Sequence, residues 1–347
     1  MIPVFDGHND TLLNHLADPA RDLFARQGDG HLDLVRAKEG GMVGGFFAVW
    51  TPSAPLPAKY AALADHPGLP IAPAGAVDSG VARAHADACV AQLSAWDQDP
   101  QDRFRLVRTV AELESAVAAG VFAAIMHFEG AEAIGPDLCA LDTYYAAGLR
   151  SLGPVWSRPN LFGFGVPFHF PSSPDVGPGL TPHGRALVKR CNELGIMLDL
   201  SHITERGFWD VAALSDDPLV ATHSNAHAVS PSPRNLTDEQ LAAVKASNGV
   251  VGLNYNVGFL DPEGSRATSL PIEVMVRHVD HLVDKLGIDG VALGSDFDGA
   301  TMPDSVKDVA HVPNLMSALA AAGYDDESLR KIGYLNWLRV LRLTWEE

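Results

Sequence analysis

Three histidines and three carboxylates stand where short apolar runs end along this chain of 347 residues. His8 and Asp10 fall in DGHND, Glu129 in MHFEG, His202 in LDLSH, His223 in VATHSN and Asp296 in LGSDFDG. Imidazole nitrogens and carboxylate oxygens are ligands that zinc accepts, and a carboxylate shared between two ions suits a two-metal site. Taken singly, each fragment has a plainer reading. Residues two apart on a strand share a face, so His8 and Asp10 read as a structural histidine beside a turn-capping aspartate. Ser-His and Thr-His at strand ends read as satisfied polar core residues, and Glu129 as a cap for the helix that follows. DFDG reads as a turn in which Gly299 supplies a positive φ. The conjunction outweighs these readings, because buried charges are costly unless paired or bound to metal.

The elements that must position these residues are legible as runs. Residues 2–5, 42–50, 121–128, 149–156, 196–200, 219–222, 250–254 and 291–293 are apolar, many of them β-branched or aromatic. They read as strands buried on both faces, the signature of a parallel sheet. Helical patterns fill most gaps: 182–194, between Thr181 as N-cap and Gly195 as C-cap, then 204–214, 237–247, 271–286 and 326–345. Strands alternating with helices give βα units, and eight of them predict one (β/α)₈ barrel spanning 1–347. A doubly wound open sheet shares the local pattern. Barrel enzymes carry their chemistry at the C-terminal ends of the strands, so the six side chains should converge in one mouth. Three insertions, 51–75, 157–180 and 257–270, follow strands and would lie over it.

Composition narrows the partners. The formal charge of −18 argues against nucleic acid, whose phosphates need clustered Lys and Arg. Cys89, Cys139 and Cys191 form no CxxC pair, so they read as reduced thiols and not as metal ligands. No signal peptide is visible, and no apolar run approaches the roughly 20 residues of a membrane helix. The expectation is a cytoplasmic protein with no membrane partner. No GxGxxG follows a strand and no P-loop occurs, which removes redox and phosphotransfer readings.

In the order DGHND, MHFEG, LDLSH, ATHSNAH, SPRN and GSDFDG, nearly the whole chain resembles the membrane (renal) dipeptidase family, a branch of the amidohydrolase-type barrels. The spacing from Glu129 through His202 and His223 to Arg234 is similar too. The resemblance implies a zinc dipeptidase with two ions per chain, acting on small dipeptides with a free C-terminal carboxylate. It implies that His8 and Asp10 hold the first zinc, that Glu129 bridges both, and that His202 and His223 hold the second. Arg234 would engage the substrate carboxylate, a role suited to a planar bidentate donor, and Asp296 would shuttle the proton. Homodimers are common in the family.

The resemblance breaks at one position. The family's peptidases carry on their fourth strand a His that contacts the substrate carbonyl, and Trp156 stands there in this chain. An indole N–H can donate but can neither become a cation nor accept a proton. Trp156 therefore favours a second reading, a related zinc amidohydrolase acting on an N-acyl amino acid, a lactone or another small amide. Ser157, Arg158, Asn160, His169 and His183 follow as possible substitute donors, Arg158 being the nearest. A non-catalytic metal-binding barrel is disfavoured because Asp296, which binds no metal in the family, is retained.

Overall fold

A computed structural model describes residues 2–53 and 75–345. Most of the 51–75 insertion lies outside the described residues.

Parallel strands form two arcs. The first contains β1 (Val4–Asn9), β2 (Met42–Val49), β3 (Phe104–Leu106), β4 (Phe122–Glu129), β5 (Leu149–Gly153) and β6 (Met197–Leu198). The second contains β7 (Val220–Ala221), β8 (Val250–Leu253) and β9 (Val291–Leu293). Short bridges close both seams. Asp199 pairs with Val220, and the Leu200 N–H donates to the Val220 carbonyl at 2.8 Å. At the other seam Asn9 pairs with Phe297, and the Asp296 N–H donates to the His8 carbonyl at 3.0 Å. The order β1-β2-β4-β5-β6-β7-β8-β9 thus returns to β1 as the expected eight-staved α/β barrel.

The ninth strand, β3, was not expected. It pairs with Phe122–Ala124 of β4, while β5 pairs with Met126–Glu129 of the same strand and β2 takes the opposite edge. β3 therefore shares an edge with β5 and adds no stave. Its three residues, with Arg105 at the centre, are too few for a periodic signal.

Two strand ends differ from expectation in ways that matter for the site. β1 continues past residue 5 to Asn9, so His8 belongs to the strand itself. β5 stops at Gly153 rather than at 156, because Pro154 has no N–H to continue the ladder. Trp156 therefore stands in the loop beyond the strand.

Helices cover the strands much as the caps predict. Pro182–Leu194 has the Thr181 hydroxyl accepting from the Gly184 N–H, and Gly195 ends it at φ 64°. Thr204 caps Glu205–Ala212, and Thr237 with Gln240 closes a capping box on Asp238–Ala246. The expected single helix over 326–345 is instead Asp326–Arg330 and Asn336–Thr344, separated by a π-helical turn at Lys331–Leu335. Gly333 in that turn passes so close to the first strand that a Cβ would lie 2.7 Å from the Pro3 carbonyl oxygen. Among the described residues no helix is long and apolar enough to cross a membrane.

The C-terminal helix carries Trp337 into a buried cluster with Phe5, Phe46, Val220, Val250 and Ala292. Its indole N–H donates to the Leu293 carbonyl at 3.0 Å. Gly7 is fitted to this ring, since a Cβ there would lie 2.4 Å from Trp337 and 2.5 Å from the Thr222 carbonyl. The glycine of DGHND is thus what lets β1 pass Trp337 and deliver His8 one residue later.

Candidate active site

All six predicted donors reach one end of the barrel, and each is buried. Glu129 is the last residue of β4, and Asp10 occupies the N-cap position of helix Thr11–Ala17. His202, His223 and Asp296 follow the ends of β6, β7 and β9. The backbone at His202 and Asp296 is left-handed, at φ 68° and 63°. Such conformations are uncommon outside glycine and concentrate at functional sites.

Glu129 is the centre of the cluster. Its Oε1 lies 2.9 Å from His202 Nε2, 3.3 Å from His223 Nε2 and 3.7 Å from His8 Nε2. His8 Nε2 is also 3.5 Å from Asp10 Oδ2, and the His8 and His223 rings stack with centroids 3.8 Å apart. Two triads have donor atoms all within 4.8 Å of one another: His8, Glu129 and His223, and His8, Asp10 and Asp296. His8 belongs to both, while His202 joins through Glu129 and through His223, whose Nε2 is 3.0 Å from its own.

The electrostatics are those of a site built around a cation. Burial pulls His8 down, but Glu129, Asp10 and Asp296 outweigh it and push the imidazole up to about 10. Burial raises Glu129 well above the usual carboxylate range, with Asp10 and Asp296 adding to the shift against His8 and Arg234. Burial also raises Asp296. His202 and His223 are driven well below the usual histidine range by burial, and then by the positive charges of Arg234 and His8. Neutral imidazoles expose the lone pair a metal needs. Among the described residues, neither buried ring nitrogen of His8 has a hydrogen-bond partner. Crowded carboxylates around an unpartnered histidine form a donor set that fits divalent metal of zinc type.

Several polar residues hold these groups in place; sequence reasoning missed Asn254 and Thr222 and named Ser157 only as a substitute donor. The Asn254 side-chain amide donates to Asp296 Oδ2 at 2.9 Å, Ser157 Oγ lies 2.7 Å from His202 Nδ1, and Thr222 Oγ1 lies 2.8 Å from His223 Nδ1. Each stands next to an apolar run or beside a candidate donor in sequence, a signal that was available. The DFDG turn also differs from expectation. Its positive φ values belong to Asp296 and Asp298, not to Gly299. Gly299 is needed for room instead, because a Cβ there would lie 1.9 Å from Asp10 Oδ2.

A cavity of about 160 Å³ opens onto the cluster, lined by Asp10, Glu129, His202 and Asp296 and walled by Trp50, Trp156, Phe168 and Phe259. The Trp156 ring packs at 5.1 Å from Trp50, 5.5 Å from Phe168 and 5.6 Å from His202. Arg158 does not take over as donor to this space. Its Nε donates to Glu132 Oε1 at 2.7 Å, Nη1 to Ser53 Oγ at 2.8 Å and Nη2 to the Thr51 carbonyl at 2.8 Å. The locked guanidinium lies 5.2 Å from the Trp156 ring centroid and so supports the indole. Asn160 is spent on its own loop and His183 is exposed. Arg234 is buried but is not among the residues lining the cavity. It donates to the His223 carbonyl at 3.1 Å and lies 5.3 Å over Phe259, and its Nε has no hydrogen-bond partner among the described residues. Burial lowers it to about 10, against the pull of Asp296 and Glu129.

Known proteins resemble this chain throughout. The sequence profile described as membrane dipeptidase, peptidase family M19, matches residues 1–346. A Klebsiella pneumoniae protein, described as an uncharacterized protein in the pqqA 5′ region, is 49% identical over 245 residues, 71% of this chain and 90% of its own. The crystal structure of a metallopeptidase called dipeptidase AC is 52% identical, with a TM-score of 0.96 over 100% of this chain and 99% of its own. A metallopeptidase from Rhodobacter sphaeroides, liganded with a phosphinate mimic of the dipeptide L-Ala-D-Ala, is 51% identical, with a TM-score of 0.96 over 99% of each chain.

Proposed function

The chain belongs to the membrane dipeptidase family, peptidase family M19, and from that premise we propose a dinuclear zinc dipeptidase for small dipeptides with a free C-terminal carboxylate. The single observation that carries this reading is the convergence of three histidines on Glu129, with Asp10 and Asp296 joined to the cluster through His8, whose ring nitrogens have no hydrogen-bond partner among the described residues. One barrel domain over 1–347 carries the site. His8 and Asp10 would hold one zinc and His202 and His223 the other, with Glu129 shared between them.

Zinc bound there would supply Lewis acidity toward the scissile carbonyl and toward the attacking water. The remaining work belongs to the chain. Asp296 receives the proton of the attacking water and passes it to the leaving amine. Asn254 holds its Oδ2, leaving Oδ1 for the transfer. A carboxyl raised by burial is better matched to proton carriage near neutral pH than an exposed one. Arg234, a buried cation with an unpartnered Nε, engages the C-terminal carboxylate of the substrate. The three free cysteines suit a reducing cytoplasm.

The aromatic walls and the small cavity favour residues with short side chains. The dipeptide mimic held by the Rhodobacter relative adds a stereochemical preference, a D residue on the C-terminal side. Trp156 favours the second reading, a zinc amidohydrolase for an N-acyl amino acid, a lactone or another small amide. A hydrolysis screen over L-X-L and L-X-D dipeptides and N-acyl amino acids, with metal content assayed, separates the two. The expected result is dipeptide cleavage with about two zinc ions per chain. Cleavage of N-acyl amino acids alone favours the second reading, and at most one metal after zinc loading removes the dinuclear site.

Trp156 also has a directional test. It narrows the cavity beside His202, so Trp156→His should widen the site and restore a donor to the carbonyl. The ratio of kcat/KM for L-Ala-L-Ala to that for L-Ala-D-Ala is expected to rise about tenfold or more, the scale of discrimination a pocket contact supplies. An unchanged ratio assigns Trp156 to packing against Trp50, Phe168 and Arg158.

A further inference from the structure

Asp199 lies in LDLSH three residues before His202, yet its side chain reaches Thr222 on the next stave, with Oδ2 also 3.5 Å from His127 Nε2 on β4. It is wholly buried, and its two oxygens do different things. Oδ1 accepts the backbone N–H groups of Ser201 at 3.0 Å and Thr222 at 2.8 Å. Oδ2 accepts the hydroxyl of Thr222 at 2.7 Å. The same hydroxyl oxygen lies 2.8 Å from His223 Nδ1.

A hydroxyl has one proton, and that of Thr222 is given to Asp199. The Thr222 oxygen can then only accept from His223, so Nδ1 carries the imidazole proton and Nε2 keeps its lone pair. Nε2 is the atom 3.3 Å from Glu129 Oε1, at the centre of the donor cluster. We infer that Asp199, acting through Thr222, is a positioning residue that fixes the tautomer of His223 and so presents Nε2 to metal. Among the described residues His202 has no equivalent carboxylate: its Nδ1 meets Ser157 Oγ, a hydroxyl free to donate or accept. The inference rests on His223 being a metal ligand, which the zinc content of the wild-type chain tests separately.

The two backbone N–H groups on Oδ1 give the test its direction. In Asp199→Asn the amide oxygen must stay opposite them, because an NH₂ there would face two donors. The NH₂ group is thereby turned toward Thr222 and becomes a donor to its oxygen. The Thr222 proton is released to point at His223 Nδ1, which must now accept, and the imidazole proton moves to Nε2. A proton then occupies the position that metal requires.

The experiment uses the full-length, zinc-loaded chain, chelator competition for zinc affinity, and nitrogen-15 NMR of labelled histidine to locate the ring protons. Wild type should show a proton on Nδ1 of His223, slow to exchange because the site is buried. Asp199→Asn should weaken the zinc held through His223 by about 10–100-fold, the usual effect of removing the group that orients a ligating histidine. Thr222→Val, which keeps the shape but removes the hydroxyl, should weaken it as well, whereas Thr222→Ser should retain wild-type affinity. If Asp199→Asn does not fold, the Val and Ser pair decides alone. A wild-type His223 protonated on Nε2 overturns the inference. So does zinc affinity within twofold of wild type in Asp199→Asn, or in Thr222→Val should Asp199→Asn not fold. Two tightly bound zinc ions in wild type alongside either result would leave the proposed function standing and remove only the role of Asp199.

Discussion

Asp296→Asn is expected to lower kcat by about 10²- to 10⁴-fold, the range for loss of a positioned general acid–base group, with zinc content unchanged. The two side chains have nearly the same shape, and the substitution preserves what the turn needs. Asn tolerates the left-handed backbone better than most residues, so φ 63° at this position is retained. Its amide oxygen can still accept from Asn254, as Asp296 Oδ2 does at 2.9 Å. What is lost is the ability to take up a proton and release it. KM should move little, since the carboxylate of the substrate is assigned to Arg234. Parallel measurement of zinc per chain and of steady-state kinetics separates the alternatives. Asp296 also forms a donor triad with His8 and Asp10, so it has the geometry of a ligand as well. Loss of a zinc ion together with the loss in rate would make Asp296 a ligand, and unchanged turnover would remove it from the mechanism.

How far this site could be read from the sequence depended on the range of the interaction. The staves were legible because each is a continuous apolar run, and the candidate donors because each stands where a run stops. β3 was not, since FRL is a three-residue strand with a charged centre, defined only by its partner Phe122–Ala124. The π-helical turn at Lys331–Leu335 was hidden because apolar spacing continues through it, and its cause is the approach of Gly333 to Pro3 across the fold. Arg158 illustrates the opposite error. Proximity in sequence to Trp156 made it a candidate donor, but Glu132, Ser53 and Thr51, remote along the chain, occupy its guanidinium. Asp199 and Thr222 read as ordinary strand-end residues because their meaning lies in a contact between neighbouring staves. Polar residues inside LDLSH and VATHSN, flanked by apolar ones and close to a candidate donor, are the signal that could have marked them.

Glu129→Gln tests the centre of the site and should have the broadest effect. One carboxylate oxygen approaches the Nε2 atoms of three histidines, at 2.9, 3.3 and 3.7 Å, so a single substitution touches both proposed zinc positions. An amide is neutral, binds metal more weakly than a carboxylate, and brings an NH₂ group into a space that demands acceptors. Both ions should therefore weaken together. Loss of the Lewis acid is worth several kcal/mol in the transition state, so kcat should fall on the order of 10³-fold or more. His202→Ala removes a ligand from one side of the cluster and should mainly deplete one ion. Stability should move the other way from activity. Burial and the neighbouring carboxylates hold Glu129 well above the usual carboxylate range, so its charged form is destabilised when no cation balances it. The metal-free Gln variant should then melt at or above the temperature of metal-free wild type, while the zinc-loaded wild type, stabilised by ligand binding, should exceed both. Zinc content of the two variants, with thermal melts before and after chelation, checks the whole argument. Equal and partial zinc loss in Glu129→Gln and His202→Ala would count against the bridge, and a metal-free Gln variant melting well below metal-free wild type would give Glu129 a structural role that the burial of its charge does not support.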